Sequence, residues 1–299
     1  MSDGERKGEG KGEGQRTGPG DAVREHDLDL PDGRILHVYD AGPEDALPVI
    51  WHHGTPNLGW PPEPLFDAAA ELGVRWISFD RPGYGDSTAN PDRTIASVTA
   101  DVAALADDLH IDRFGVFGYS GGGPHALACA AALPDRVVAA VNMAGLAPFD
   151  AEGLDWFAGM GPTSTAALKA AAQGRSEKDR REAESADAPI DFDGSDWAAL
   201  AGEWGWFGKV AGAAMVNGIS GLIDDDLAYV TPWGVDLAHI AIPVFLLHGA
   251  DDRVVPAAHS RWLASAIGGS ELRVVPKASH VSIALDAPEA LRWLAQHAP

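Results

Sequence analysis

The sequence predicts an α/β fold: a mostly parallel, doubly wound sheet of about eight strands, covered by helices and carrying one helical insertion. Three observations predict it. From Ala22 onward, short β-branched or apolar runs alternate with alanine-rich, helix-like stretches, the pattern of parallel strands joined by crossover helices. That rhythm stops between about Pro148 and Pro232, where no strong strand appears. And a serine ringed by glycines, GYSGGG at 118–123, sits between an apolar run and a helical one.

Taken in order, the predicted strands are RILHVYD (34–40), PVIWHH (48–53), RWISFD (75–80), RFGVFG (113–118), VVAAVNMA (137–144), PVFLLHG (243–249) and ELRVVP (271–276). A helix is expected over 95–109, where Ile95, Val98, Val102, Leu105 and Leu109 form one stripe with Asp101, Asp107 and Asp108 largely off it. Another is expected over 124–133, with Pro124 suited to an early turn. In the interrupted region Trp156, Trp197, Trp204, Trp206 and Trp233 fall at or near helical segments. They suit either a pocket lining or the insertion's own core. The run RSEKDRREAESAD (175–187) reads as a solvated helix or hinge. Residues 1–20 mix glycine with charge, hold no aromatic, and read as a disordered tail. The expected division is therefore a tail (1–20), a core from 21–147 and 233–299, and a helical insertion over 148–232.

Composition excludes several functions. A formal charge of −22, from 44 acidic and 22 basic residues, repels a phosphate backbone and argues against nucleic acid or an anionic membrane surface. Cys129 is the one cysteine, the N-terminus lacks an apolar signal core, and no run is long enough for a membrane span. A cytoplasmic protein is expected.

The glycines around Ser120 have a physical reason. Gly118-Tyr119-Ser120-Gly121-Gly122 satisfies G-x-S-x-G between strand and helix. A sharp turn that lifts a nucleophile needs an unfavourable backbone conformation and close chain passage, and glycine removes colliding β-carbons. The helix that follows points N–H groups toward the serine, where an oxyanion would develop. A serine nucleophile needs a base and a carboxylate. Asp251 and Asp252 follow a strand in GADDRVVP (249–256), at the carboxyl end of the sheet where function collects in open α/β folds. His280 follows the last strand directly, whereas His259 lies in an expected helix and His297 near the C-terminus. His53, His125 and His248 suit local hydrogen bonding. Gly121 supplies one oxyanion amide, and Thr55, in the turn HHGTP (52–56), is placed to supply a second.

Together these pieces resemble the α/β-hydrolase fold superfamily, specifically serine hydrolases with a helical cap. The resemblance runs from about Ala22 to Pro299 and rests on His53-Gly54 with Thr55, DRPGYGDS (80–87), GYSGGG, GADDRVVP and ASH (278–280), in that order. It implies Ser120, Asp252 and His280 as the catalytic residues, Asp252 being the acid because it stands in the family's position ahead of Val-Pro. Asp80 and Asp86 are implied to be structural, and the insertion to be a cap. The haloalkane dehalogenases and most epoxide hydrolases of the superfamily use aspartate where this chain has Ser120, whereas esterases, thioesterases, lactonases, amidases, C–C bond hydrolases, proline-releasing peptidases and cofactor-free perhydrolases keep serine.

The expected activity is hydrolysis of an ester-like small molecule through an acyl-enzyme, with proline-releasing peptidase, C–C hydrolase or non-catalytic binder as alternatives. No cofactor or metal is expected: there is no paired zinc spacing and no phosphate-loop lysine. The acidic excess of the insertion points to a neutral or cationic substrate, partly apolar.

Overall fold

A computed structural model describes residues 23–185 and 188–298; the tail expected over 1–20 lies outside them. In chain order the elements are β1 (Arg24–Asp29), β2 (Ile35–Ala41), β3 (Leu47–His52), α1 (Phe66–Leu72), β4 (Val74–Phe79), α2 (Val98–Asp108), β5 (Phe114–Tyr119), α3 (Gly122–Ala132) and β6 (Val137–Met143). Then come α4 (Pro162–Ala172), α5 (Arg175–Glu184), α6 (Gly194–Ala201), α7 (Trp206–Ala214) and α8 (Ser220–Tyr229) without an intervening strand among the described residues. β7 (Val244–Gly249), α9 (Ala258–Ala266), β8 (Glu271–Val275) and α10 (Ala287–His297) complete the chain.

The strands form one eight-stranded sheet in the order β1-β2-β4-β3-β5-β6-β7-β8. The β1–β2 and β2–β4 pairs are antiparallel and the rest parallel, which is the predicted fold class. Alternating side chains feed two cores. Ile50, Val116 and Leu246 pack on the face that holds Val102, Leu105 and Leu127. Trp51, Phe117 and Leu247 pack on the other, with Leu291 and Leu294 of α10. Burial on both faces is why these strands read as nearly continuous apolar runs.

Each of the seven strands expected from sequence is present within about one residue at either end. The eighth, β1, was not anticipated. Its sequence REHDLD is exposed or half-buried throughout and pairs only with β2, so an edge position leaves it without the apolar signature of a strand. Among the described residues no helix is long and apolar enough to cross a membrane.

The topology creates a site by itself. β3 lies between β4 and β5, so the chain leaves β3 toward one side and later returns on the other. Such a switch opens a crevice at the carboxyl ends of the two strands. His52 on β3 pairs in register with Gly118 on β5, and Thr55 and Gly121 each lie three residues further on.

Candidate active site

Ser120 is the first of the two residues that turn the chain from β5 into α3, and its φ is +51°, a left-handed conformation that costs a non-glycine residue of order 1–3 kcal/mol. The neighbouring glycines make the corner feasible. A β-carbon at Gly122 would fall 1.9 Å from the His52 carbonyl oxygen, and one at Gly118 would fall 2.4 Å from that of Gly122. Strand, turn and helix pass too closely there for any side chain.

The structure brings together all five residues singled out from the sequence. His280 Nε2 is 2.8 Å from Ser120 Oγ, and its Nδ1 is 2.8 Å from Asp252 Oδ2. Asp252 is buried and Asp251 exposed, so of the two adjacent carboxylates only Asp252 faces the imidazole. The other oxygen of Asp252 accepts the N–H groups of Val254 at 2.8 Å and Val255 at 2.9 Å. Burial alone would raise the pKa of Asp252, but the charge and hydrogen bonds of His280 and His248 hold it well below the usual carboxylate range. An ionised Asp252 can only accept, so Nδ1 of His280 carries the proton and Nε2 is free to accept from the Ser120 hydroxyl. Burial disfavours an imidazolium at His280, yet the charge and hydrogen bond of Asp252 outweigh it and raise its pKa.

Two further groups hold the His280 loop. Tyr119, the residue before the serine, donates its hydroxyl to the His280 carbonyl at 3.0 Å. Asp196, near the start of α6, is buried and accepts from Val281 N at 2.7 Å, Ser282 N at 3.0 Å and Ser279 Oγ at 2.7 Å. The amides of Thr55 and Gly121 have no hydrogen-bond acceptor among the described residues, although both sit beside Ser120 in the wall of one cavity.

That cavity has a volume of about 510 Å³. Leu146, Leu168 and Val255 give it apolar wall, and Lys178, Arg181 and Glu182 of α5 a charged one. The charged run therefore borders the cavity as well as solvent. Lys178 is the buried residue of that helix, 2.6 Å from Glu182 and 2.5 Å from Asp226. None of the five tryptophans lines the cavity. Trp156 and Trp233 join one core, Trp204 and Trp206 the other, and Trp197 is half exposed.

The remaining histidines divide. His53 is neutral, its pKa pushed well down by burial and by Arg81; its Nδ1 donates to Gly54 O and its Nε2 accepts from Arg81 N. His248 bonds Ser260 and the Val255 carbonyl, and His259 links Ala147 to Trp156. His125 departs from expectation. Neither ring nitrogen has a hydrogen-bond partner among the described residues, and Asp225 stands 3.8 Å away, because Asp225 is already taken by stronger donors. Asp80 is buried and accepts from Gly59 N and Tyr39 Oη, the structural part expected of it. Among the described residues no three of His, Cys, Asp and Glu are gathered to hold a metal ion.

Sequence reasoning missed Asp196, Asp225, Tyr229 and the buried role of Arg81. Asp225 lies in the run Asp224-Asp225-Asp226, which reads as a solvated acidic face. The one available signal was that this run interrupts an otherwise apolar helix.

Comparison with known proteins agrees with this architecture. A family model described as the alpha/beta hydrolase family matches residues 49–292. The chain is 31% identical over 248 residues to a non-heme chloroperoxidase of Streptomyces lividans, a match covering 76% of this chain and 82% of that protein. It is 32% identical over 134 residues to an epoxide hydrolase of Caballeronia sordidicola, covering 44% and 39% of the two chains. The crystal structure of the enol-lactonase from Burkholderia xenovorans LB400 superposes with a TM-score of 0.69 at 22% identity over 91% of this chain and 99% of that one, a likeness of fold. The family match runs from β3 into α10 and takes in every residue of the site described above: the chain belongs to the alpha/beta hydrolase family.

Proposed function

We propose that the protein is a serine hydrolase that cleaves an ester-like bond, in a carboxylic ester, thioester or lactone, through an acyl-enzyme. The observation that carries this reading is the unbroken hydrogen-bonded line from Asp252 through His280 to Ser120, with two contacts of 2.8 Å, beside two amides that have no acceptor among the described residues. Ser120 Oγ attacks the carbonyl carbon while Nε2 of His280 takes its proton. The imidazolium so formed is stabilised by Asp252, and the oxyanion receives the N–H groups of Thr55 and Gly121. Collapse expels the leaving group, which takes the proton from His280. Water then repeats the sequence on the acyl-enzyme and regenerates Ser120.

The helices between β6 and β7 act as a cap over the site, and the cavity they help to enclose takes a small, neutral, partly apolar substrate. Its apolar wall suits an acyl chain, and the carboxylates of Glu182, Asp191 and Asp226 in the wall, two of them paired with Lys178, disfavour a polyanion. A fluorophosphonate probe is expected to label the wild-type protein and to leave Ser120→Ala unlabelled, with turnover of p-nitrophenyl esters lower by about 10⁴-fold or more. Equal labelling of the two proteins would end the assignment. A panel of p-nitrophenyl esters of graded chain length, with a thioester, a lactone and a prolyl amide, identifies the bond; faster cleavage of the amide would overturn the ester reading.

A further inference from the structure

Behind the Thr55 turn lies a group of charges with no outlet to solvent. Asp225 of α8 is fully buried, as are Arg81 and Arg93. Arg81 Nε and Nη2 donate to the two Asp225 oxygens at 3.1 and 2.7 Å, and Arg93 Nη1 donates at 2.5 Å. Tyr84 Oη adds a hydrogen bond at 2.8 Å and Thr55 Oγ1 one at 2.5 Å. Breaking so buried a pair is costly, and a brace between helix and core would justify one arginine. It does not explain where the rest of Arg81 goes.

The same guanidinium grips three successive residues of the turn: Nη1 donates to the His53 carbonyl, and Nη2, whose two hydrogens are shared with Asp225, reaches Gly54 O at 3.2 Å and Thr55 Oγ1 at 3.1 Å. Gly54 C=O and Thr55 N–H are the two ends of one planar peptide. A charged donor on that oxygen, joined by His53 Nδ1 at 2.8 Å, draws electron density across the peptide and strengthens the N–H at its far end. Proton accounting fixes the remaining contacts. Asp225 can only accept, so the Thr55 hydroxyl is its donor and cannot also donate to Tyr229. The Tyr229 hydroxyl, 2.7 Å from Thr55 Oγ1 and 3.0 Å from Gly121 O, has one proton, which it shares between these two acceptors in a three-centre hydrogen bond that spans the two residues whose amides face the oxyanion. Two guanidiniums meet the one Asp225 carboxylate, so the charge of Arg81 is only partly offset there. An oxyanion at Thr55 N–H would sit one peptide away from it.

We propose that Arg81, held by Asp225 of α8, is a positioning residue that orients and polarises the Gly54–Thr55 peptide, so that the helical insertion sets the strength of the oxyanion site. This rests on the serine-hydrolase reading and extends it. The cluster acts on the transition state and leaves ground-state binding alone.

The test compares wild type with Arg81→Lys, which keeps the charge but loses the fork, and with Arg175→Gln, which cuts a brace of α8 remote from the turn. For each, kcat and KM on one p-nitrophenyl ester are measured with the inhibition constants of a trifluoromethyl ketone, which forms the tetrahedral oxyanion, and of the matching methyl ketone, which binds unreacted. For Arg81→Lys, kcat and trifluoromethyl-ketone affinity are expected to fall together, by about 10²-fold, with KM and methyl-ketone affinity near wild type, while Arg175→Gln stays near wild type in all four. Unchanged trifluoromethyl-ketone affinity in Arg81→Lys, a loss shared equally by the methyl ketone, or an equal loss in Arg175→Gln would overturn the proposal. If Arg81→Lys does not fold, Thr55→Val, which keeps the amide but cuts the hydroxyl from Arg81, Asp225 and Tyr229, is read by the same comparison. Absence of ester turnover and of Ser120 labelling in wild type would overturn the hydrolase reading and this inference with it; normal turnover with insensitive variants overturns the inference alone.

Discussion

His280 is the group whose ionisation the mechanism uses, and its surroundings fix the sign of the pH dependence. It must be neutral to take the Ser120 proton, and Asp252 raises its pKa above the ordinary 6.5. The kcat/KM for a neutral ester is therefore expected to fall as pH drops through a value above 6.5, with no second acidic limb, because Asp252 stays ionised. Asp252→Asn removes the charge that raises the imidazole, so the limb should move to lower pH while kcat falls by about 10⁴-fold. A pH–rate series on both proteins checks this, and a limb that stays in place in the variant would contradict it. At this scale the sequence is legible where chemistry dictates residue type. A hydroxyl, an imidazole and a carboxylate each follow a strand, and all three converge. The choice between Asp251 and Asp252 needed the resemblance, since the residues alone left it open and only side-chain direction decides it.

At the scale of elements, α6 and α8 each bring a buried acceptor to the candidate site. α8 carries Asp225 and Tyr229 to the Thr55 turn, and α6 carries Asp196 to the His280 loop. Asp196→Ala would leave two buried amides and the Ser279 hydroxyl without their acceptor, so a loss of about 3 kcal/mol in stability is expected. A displaced imidazole should lower kcat by about 10²-fold beyond that. Denaturant unfolding with steady-state kinetics reads both, and full activity in a destabilised variant would show that the loop needs no such support. These links were illegible because partners such as Arg81 and Asp225 are 144 residues apart, and a buried aspartate in an acidic stretch looks like its solvated neighbours. β1 escaped for the opposite reason: an exposed edge strand has no apolar pattern to read.

For the molecule as a whole, strand order explains why residues from β3, β5, β7 and β8 share one crevice. The strands β3 to β7 were legible because burial on both faces leaves nearly unbroken apolar runs, and β2 and the edge strand β8 through their β-branched and apolar residues. The position of β3 between β4 and β5 was not, since neighbour choice is settled by long-range pairing that leaves no local mark. That order brings Thr55 beside Gly121 and sets both next to Ser120. The central claim, a covalent acyl-enzyme on Ser120, is tested most directly by acid-quenching the protein during turnover of a p-nitrophenyl ester and weighing it intact and after digestion. A mass gain of one acyl group is expected, confined to the peptide that contains Ser120. Steady turnover with no acylated protein at any quench time, or an acyl group carried on another residue, would contradict it.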